Sequence, residues 1–229
     1  MGKKCYNMKL MLEAKIEKIF KYISGSPVQL VAVTKTIDAG RVARAIDAGV
    51  KDIAESRVQE ATAKFAELGT KLTGVRTHCI GHLQTNKAKK AVALFGMIQS
   101  VDSLALAAVI DAAAAQTGKL QECLLEVKVS SEPSKHGIDP ADVASVYAGV
   151  IGMRHITVRG LMAMAPYFDD AERARPYFKQ ARSIFESTAR TFQNPNFSIL
   201  SMGMSHDYRI AVEEGATMIR IGSALFNEN

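Results

Sequence analysis

The chain has 229 residues, of which 48% are hydrophobic and 23% are charged, and a formal net charge of +6. This is the usual profile of a globular protein with room for a large core. No apolar run approaches the roughly 18 residues that a membrane span needs, and the N-terminal MGKKCYN lacks the apolar segment of a secretory signal. The cysteines at positions 5, 79 and 123 are far apart, which argues against a disulfide framework or a zinc site and favours the reducing cytoplasm.

Short apolar runs alternate with longer amphipathic segments along the chain. Residues 8–23 predict a helix. Strand-like runs follow at residues 29–34, 51–54, 77–81, 96–100, 122–129, 156–164, 197–202 and 217–222. Strands that are apolar throughout, with helical patterns between them, predict a parallel sheet buried on both faces. Eight such strands favour a (β/α)8 barrel formed as one domain over residues 1–229, and an open doubly wound sheet is the alternative.

The first of these strands ends in a lysine, Lys35. An ordinary surface lysine would fit a strand end equally well. In a (β/α)8 barrel, however, the chemistry lies at the carboxyl ends of the strands. A partly desolvated amine at such a position loses its proton more easily and becomes a nucleophile.

Two loops rich in small residues follow the last two strands, at residues 201–207 and 220–224. In the first, Ser205 is predicted to cap a helix that begins near His206. In the second, Gly222 and Ser223 can offer backbone N–H groups, and Arg220 should face the barrel mouth. Two such loops on adjacent strands predict a phosphate site, whereas either loop alone could be an ordinary capped turn.

Together, a lysine nucleophile, a phosphate site and an arginine at one barrel mouth match the requirements of pyridoxal phosphate. The lysine amine forms an imine with the aldehyde of this cofactor, the loops hold its phosphate, and Arg220 faces its ring nitrogen.

The sequence also resembles the pyridoxal phosphate homeostasis proteins, whose barrel is similar to the N-terminal domain of alanine racemases. The motifs that carry this resemblance occur in order along nearly the whole chain: AVTKT (32–36), AESRVQE (54–60), HCIGHLQTNK (78–87), SVD (100–102), SKHG (134–137), RGLMAM (159–164), SMGMSHD (201–207) and EEGATMIRIGSALF (213–226).

The resemblance implies that Lys35 carries the cofactor, that Ser205, Gly222 and Ser223 hold its phosphate, and that Arg220 approaches its ring nitrogen. It also implies that His78 lies near the cofactor.

Two motifs depart from the family pattern. Ser56 of Ala54-Glu55-Ser56 replaces the asparagine of a usual Gly-Glu-Asn, so we expect weaker tuning of the cofactor rather than loss of binding. Phe226-Asn227 stands where Phe-Gly is common.

Met204 is expected to form part of the pocket wall.

Two other patterns suggest different chemistry. His78 and His82 flank the third strand, but no acidic residue stands at a helical spacing from them, so we expect structural or pocket-lining roles rather than a metal site. The basic run around Lys87 lacks interleaved aromatic residues and is typical of a solvated helix face.

The sequence therefore predicts a cytoplasmic, monomeric protein that binds pyridoxal phosphate and helps to balance this cofactor and amino-acid metabolism. It would be a carrier or regulator rather than an enzyme. Apoenzymes that use the cofactor are candidate partners, and neither nucleic acid nor membrane is expected as one.

The first alternative is an amino-acid racemase. The second, which the sequence favours less, is a nucleic-acid-binding protein that acts through its positive charge. Alanine racemases take a second acid/base tyrosine from a C-terminal domain and a second subunit. The sequence ends seven residues after Gly222, so we expect that domain to be absent. Tyr167 and Tyr208 follow strand ends and stay as candidates for the second group.

Overall fold

The computed structural model describes residues 2–130 and 136–227, with side chains from residue 10 onward. Within these ranges, eight parallel strands pair in chain order and close into a barrel. The strands are β1 Gln29–Val33, β2 Asp52–Glu55, β3 Arg76–Cys79, β4 Met97–Val101, β5 Gln121–Val127, β6 Ile156–Ala163, β7 Ile199–Ser201 and β8 Met218–Ile221. Closure comes from β1 and β8, where Val31 pairs with Arg220. The predicted barrel is confirmed, and the open-sheet alternative is wrong.

The helices surround this barrel. They are α1 Gly2–Ile23, α2 Ala39–Asp47, α3 Val58–Leu68, α4 Ala88–Leu94, α5 Leu104–Thr117, α6 Val143–Ile151, α7 Arg175–Phe192, α8 Tyr208–Glu213 and α9 Ser223–Phe226. Short 3-10 helices lie at Gly69–Leu72, Thr85–Lys87, Pro140–Asp142 and Ala171–Ala174. In the described part of the chain, no helix combines the length and the apolar character required to cross a lipid bilayer.

Predicted and observed boundaries differ by a few residues, and two elements show why. Helix α1 begins at Gly2 rather than at residue 8, because residues 2–7 contain no proline that would interrupt it. The run at 197–202 narrows to Ile199–Ser201, because only these residues pair with β6.

The barrel interior is layered. An apolar cluster inside it is formed by the buried side chains of Val31, Val33, Ala54, Met97, Leu124, Met162, Ile199 and Met218. Residues two positions further along a strand point to the same side. Gln99, Glu126, Ser201 and Arg220 therefore form a polar layer directly above Met97, Leu124, Ile199 and Met218. All four polar residues are buried, and the candidate site lies on this layer.

Candidate functional site

A cavity of about 430 Å³ opens at the carboxyl ends of the strands. Seven of the eight residues predicted for the cofactor site line it: Lys35, Ser56, Met204, Ser205, Arg220, Gly222 and Ser223. They come from β1, β2, β7, β8 and the loops that follow them. The fold thus gathers into one place residues that are up to 188 positions apart in the sequence.

Lys35 stands two residues beyond the end of β1 and is exposed. The partial burial that the sequence suggested for this amine is therefore not seen. The next residue, Thr36, has a φ of 64°, a left-handed conformation that costs energy for a β-branched side chain. The chain turns sharply at this point, directly after the lysine.

A buried charged group fixes the backbone before Lys35. The Thr34 hydroxyl donates to Glu55 Oε1 at 2.6 Å. The Lys64 ammonium group donates both to the same carboxylate oxygen and to the Thr34 carbonyl, each at 2.5 Å. The glutamate of the AES motif is thus a support for the lysine loop and does not line the cavity.

The loop after β7 differs from the prediction. Helix α8 begins at Tyr208, and its N-cap residue is Asp207, so Ser205 does not cap a helix that begins near His206. The physical reason is a tight turn: the Met204 N–H donates to Asp207 Oδ1 at 2.6 Å. This turn directs the Ser205 hydroxyl toward the neighbouring loop.

That hydroxyl joins the two small-residue loops. The backbone N–H groups of Gly222 and Ala224 both donate to Ser205 Oγ, each at 3.1 Å. Two N–H groups from one loop therefore converge on a single oxygen supplied by the other, which is a donor set suited to an anion.

A glycine makes this arrangement possible. Gly203 has a φ of 89°, and a Cβ atom there would lie 2.5 Å from the Ala211 side chain. The loop therefore lies directly against α8, and only glycine fits.

Arg220 forms the floor of the cavity. Its guanidinium donates to Ser201 Oγ at 2.7 Å and to the Ala163 carbonyl at 3.0 Å. Burial lowers the pKa of this group to about 10, against the opposing pull of Glu126 and Asp207. The arginine consequently stays charged at neutral pH and is held in one orientation.

The hydrogen bonds continue from Arg220 across the barrel interior. Ser201 donates to Gln99 Oε1 at 2.7 Å, the Gln99 amide contacts His78 Nδ1 at 3.0 Å, and His78 Nε2 lies 2.9 Å from Asp52. His78 is not among the residues that line the cavity. Its ring lies inside the barrel between Asp52 and Gln99, where burial lowers its pKa despite the nearby Asp52 carboxylate.

Glu126 belongs to the same polar layer. Burial raises the pKa of this carboxyl to about 7, with a further contribution from Asp102, while Arg220 acts in the opposite direction. Asp207, which lines the cavity, also has its pKa raised by burial, partly offset by the Met204 N–H that it accepts. Both carboxyl groups interact electrostatically with the buried Arg220 guanidinium.

The wall beside β2 is formed by Ser56, which is half-buried. A Cβ at Gly81 would lie 2.2 Å from the Ser56 carbonyl oxygen, so glycine lets the loops after β2 and β3 approach closely. The Ser100 hydroxyl donates to the Gly81 carbonyl at 2.7 Å and fixes the loop from β4.

Sequence reasoning missed much of the opposite wall, which follows β6. The cavity residues outside the predicted cofactor set are Val33, Ile80, Met164, Pro166, Tyr167, Phe168, Ala171, Ala174, His206 and Asp207. Of these, Tyr167 was expected only as a candidate acid/base group. Tyr167 is 74% exposed, and its ring lies 5.4 Å from that of His206. The sequence did offer a signal for this wall, because the segment MAPYF (164–168) directly follows a strand. Ser134 and Lys135 of the SKHG motif lie outside the described residues.

The chain matches the family model described as the alanine racemase N-terminal domain over residues 11–229. It is 36% identical over 200 residues to the pyridoxal phosphate homeostasis protein of Aquifex aeolicus, covering 87% of this chain and 86% of that protein.

Two kinds of solved structure are similar. PipY of Synechococcus elongatus superposes with a TM-score of 0.89 without pyridoxal phosphate and 0.87 with pyridoxal phosphate bound. The two structures share 39% and 38% identity with this chain, and each match covers 94% of this chain and all of PipY. Alanine racemase of Clostridium difficile has a TM-score of 0.77 at 15% identity, over 96% of this chain and 57% of that enzyme, a likeness of fold alone.

Proposed function

Since the chain belongs to the alanine racemase N-terminal domain family and, within it, to the pyridoxal phosphate homeostasis proteins, we propose that it binds pyridoxal 5′-phosphate and serves in the homeostasis of that cofactor. One observation carries the proposal. A single cavity brings together a lysine amine, a loop pair whose N–H groups converge on one oxygen, and a buried guanidinium.

Each part of this cavity suits one part of the cofactor. Ser205, Gly222 and Ser223 would hold the phosphate through hydroxyl and backbone donors. Lys35 would bond to the aldehyde carbon, and Arg220 would face the ring nitrogen. Ser56 and Met204 would line the ring. When bound, the cofactor supplies an electrophilic aldehyde that captures amines.

The state of Arg220 supports a carrier or regulator in preference to an enzyme. A guanidinium that is charged at neutral pH cannot accept a proton from the ring nitrogen, and its charge disfavours protonation there. An unprotonated ring withdraws electrons poorly, which handicaps most amino-acid chemistry of this cofactor. We expect the protein to act in the cytoplasm as a monomer, with apoenzymes as recipients of the cofactor.

A racemase-like activity is the second candidate, and two side chains that line the cavity favour it. Racemisation requires acid and base groups on both faces of the bound substrate. Tyr167 and His206 line the cavity and could supply a group opposite Lys35. Tyr208 cannot, since it is buried outside the cavity, with its ring 5.5 Å from that of Tyr22.

Cofactor binding is tested by titrating the protein with pyridoxal phosphate and following visible absorbance. The wild type should gain the band of a lysine-bound cofactor, and Lys35→Ala should lose it. Lys87→Ala is the matched control, because Lys87 lies outside the cavity. Retention of the band in Lys35→Ala would contradict the assignment.

Catalysis is tested separately, by incubating the loaded protein with single-enantiomer alanine and serine in deuterated water. If the protein is a carrier, no deuterium should appear at the α-carbon of the amino acid, and the loaded protein should reactivate an added apoenzyme by passing the cofactor to it. Incorporation that scales with protein and disappears in Lys35→Ala would establish the racemase-like alternative.

A further inference from the structure

A cluster of two imidazoles and a carboxylate lies outside the cavity, on the same end of the barrel. We propose that His82, Asp102 and His136 form a binding site for a divalent transition-metal ion of the zinc type. This proposal is independent of cofactor binding, because none of the three residues lines the cavity.

The geometry brings three potential ligand atoms together. His82 Nδ1 lies 3.1 Å from Asp102 Oδ2. The rings of His82 and His136 stack with centroids 3.8 Å apart and planes 12° apart. One ligand atom from each residue lies within 4.8 Å of the others. Tetrahedral zinc has bonds of about 2.0–2.2 Å, which place its ligand atoms roughly 3.3–3.6 Å apart. Rotation of the two exposed histidine side chains covers the difference.

The three ligands rest on adjacent strand ends. His82 follows β3, Asp102 follows β4, and His136 lies in the segment after β5. They are 20 and 34 positions apart in the sequence. The acidic partner that the sequence did not provide at a helical spacing is therefore supplied by the next strand of the barrel.

The surroundings already hold the Asp102 carboxylate and the backbone that follows His136. Ser103 Oγ donates to Asp102 Oδ1 at 3.2 Å, while Oδ2 of the same carboxylate faces His82. The segment after His136 is anchored to β5, where the Ile138 N–H donates to the Glu126 carbonyl at 2.8 Å. Such outer contacts commonly hold metal ligands in position.

The donor set indicates which ion would bind. Two imidazole nitrogens and one carboxylate oxygen suit zinc, cobalt or nickel, whereas magnesium and calcium prefer oxygen donors throughout. The side chain of His82 is 41% exposed and that of His136 is exposed. An ion can therefore enter from solvent, and water can complete the coordination. A bound ion would tie the segment after β5 to the loops after β3 and β4.

The test is a titration of the full, tag-free chain with Zn²⁺ alone, after treatment with a chelator and without cofactor. Calorimetry should show one equivalent bound with micromolar or tighter affinity. His82→Ala, Asp102→Asn and His136→Ala should each weaken binding by about 100-fold or more. His155→Ala is the matched control, because His155 precedes β6 at the opposite end of the barrel, and it should bind like the wild type.

Co²⁺ gives a second measurement that is independent of calorimetry. The wild type should develop the intense visible absorption of four-coordinate cobalt, and the three ligand variants should not. Wild-type zinc binding weaker than millimolar would overturn the proposal. So would tight binding that all three substitutions leave unchanged. Either result would mean that the cluster is only a stacked histidine pair beside a carboxylate.

Discussion

Replacing Glu126 with glutamine should make the protein more stable above neutral pH. Glu126 lies in the polar layer inside the barrel and is only 4% exposed. Its pKa is raised from 4.5 to about 7, chiefly by burial. Glutamine has nearly the same shape and carries no charge at any pH. The substitution therefore removes the cost of ionising a buried carboxyl and little else.

The sign follows from proton binding. Between pH 4.5 and about 7 the unfolded chain releases the Glu126 proton while the folded protein keeps it, so the free energy of unfolding falls as pH rises. The pKa shift of about 2.5 corresponds to a total loss of about 3 kcal/mol. About a quarter of this loss has occurred at pH 5, and nearly all of it has occurred at pH 8.5. Relative to the wild type, Glu126→Gln should gain about 2–3 kcal/mol between these two conditions.

The assay is urea unfolding of both proteins at pH 5 and pH 8.5, with a chelator present and without cofactor. His78 and Asp207 also have shifted pKa values, but both residues are present in both proteins, so their contributions largely cancel in the difference. An equal difference at the two pH values would show that Glu126 does not ionise at a cost in the folded protein, as would a variant that is less stable than the wild type at pH 8.5.

Three further substitutions test the site. Ser205→Asp places a negative charge where two N–H groups converge and should weaken cofactor affinity at least tenfold with the fold intact; wild-type affinity in a fluorescence titration would move the phosphate elsewhere. Gly203→Ala should destabilise the protein by roughly 2–4 kcal/mol in urea, from a clash and a positive φ together. Gly118→Ala is the control: Gly118 has a φ of 64°, but an added Cβ atom there would have nothing within 4 Å. Its loss of stability should therefore be smaller than that of Gly203→Ala, and equal losses would contradict the packing argument. Gln99→Leu leaves buried partners unsatisfied, so it should lower stability by about 2–3 kcal/mol and also weaken the cofactor affinity that depends on Arg220. Unchanged unfolding and binding would show that the interior chain of hydrogen bonds does not matter.

The barrel could be predicted because its signal is local. Each strand is a short apolar run and each helix an amphipathic one, and the count of eight favours closure. The seven cavity residues that were predicted stand at or just beyond strand ends, where position in the sequence and position in the barrel coincide. The polar layer was also visible in the sequence. It is formed by the third residue of each of the runs MIQS, LLEV, ILSM and MIRI, two positions after an apolar residue that points into the barrel.

The errors concern contacts between distant segments. Ser205 was expected to cap its own helix, but its hydroxyl meets N–H groups of the loop after β8. His78 was placed at the pocket, although Gln99 and Asp52 hold its ring inside the barrel. In each case the local pattern allowed two environments, and only the packing of neighbouring strands decided between them.

The proposed function depends most on Lys35 as the residue that bonds to pyridoxal phosphate. The direct measurement is borohydride reduction of the protein after incubation with the cofactor, followed by peptide mass mapping. We expect one reduced adduct per chain, located on Lys35, and none in Lys35→Ala. An adduct found mainly on another lysine, such as Lys64, Lys87 or Lys128, or no adduct under conditions where the cofactor is in excess, would contradict this expectation.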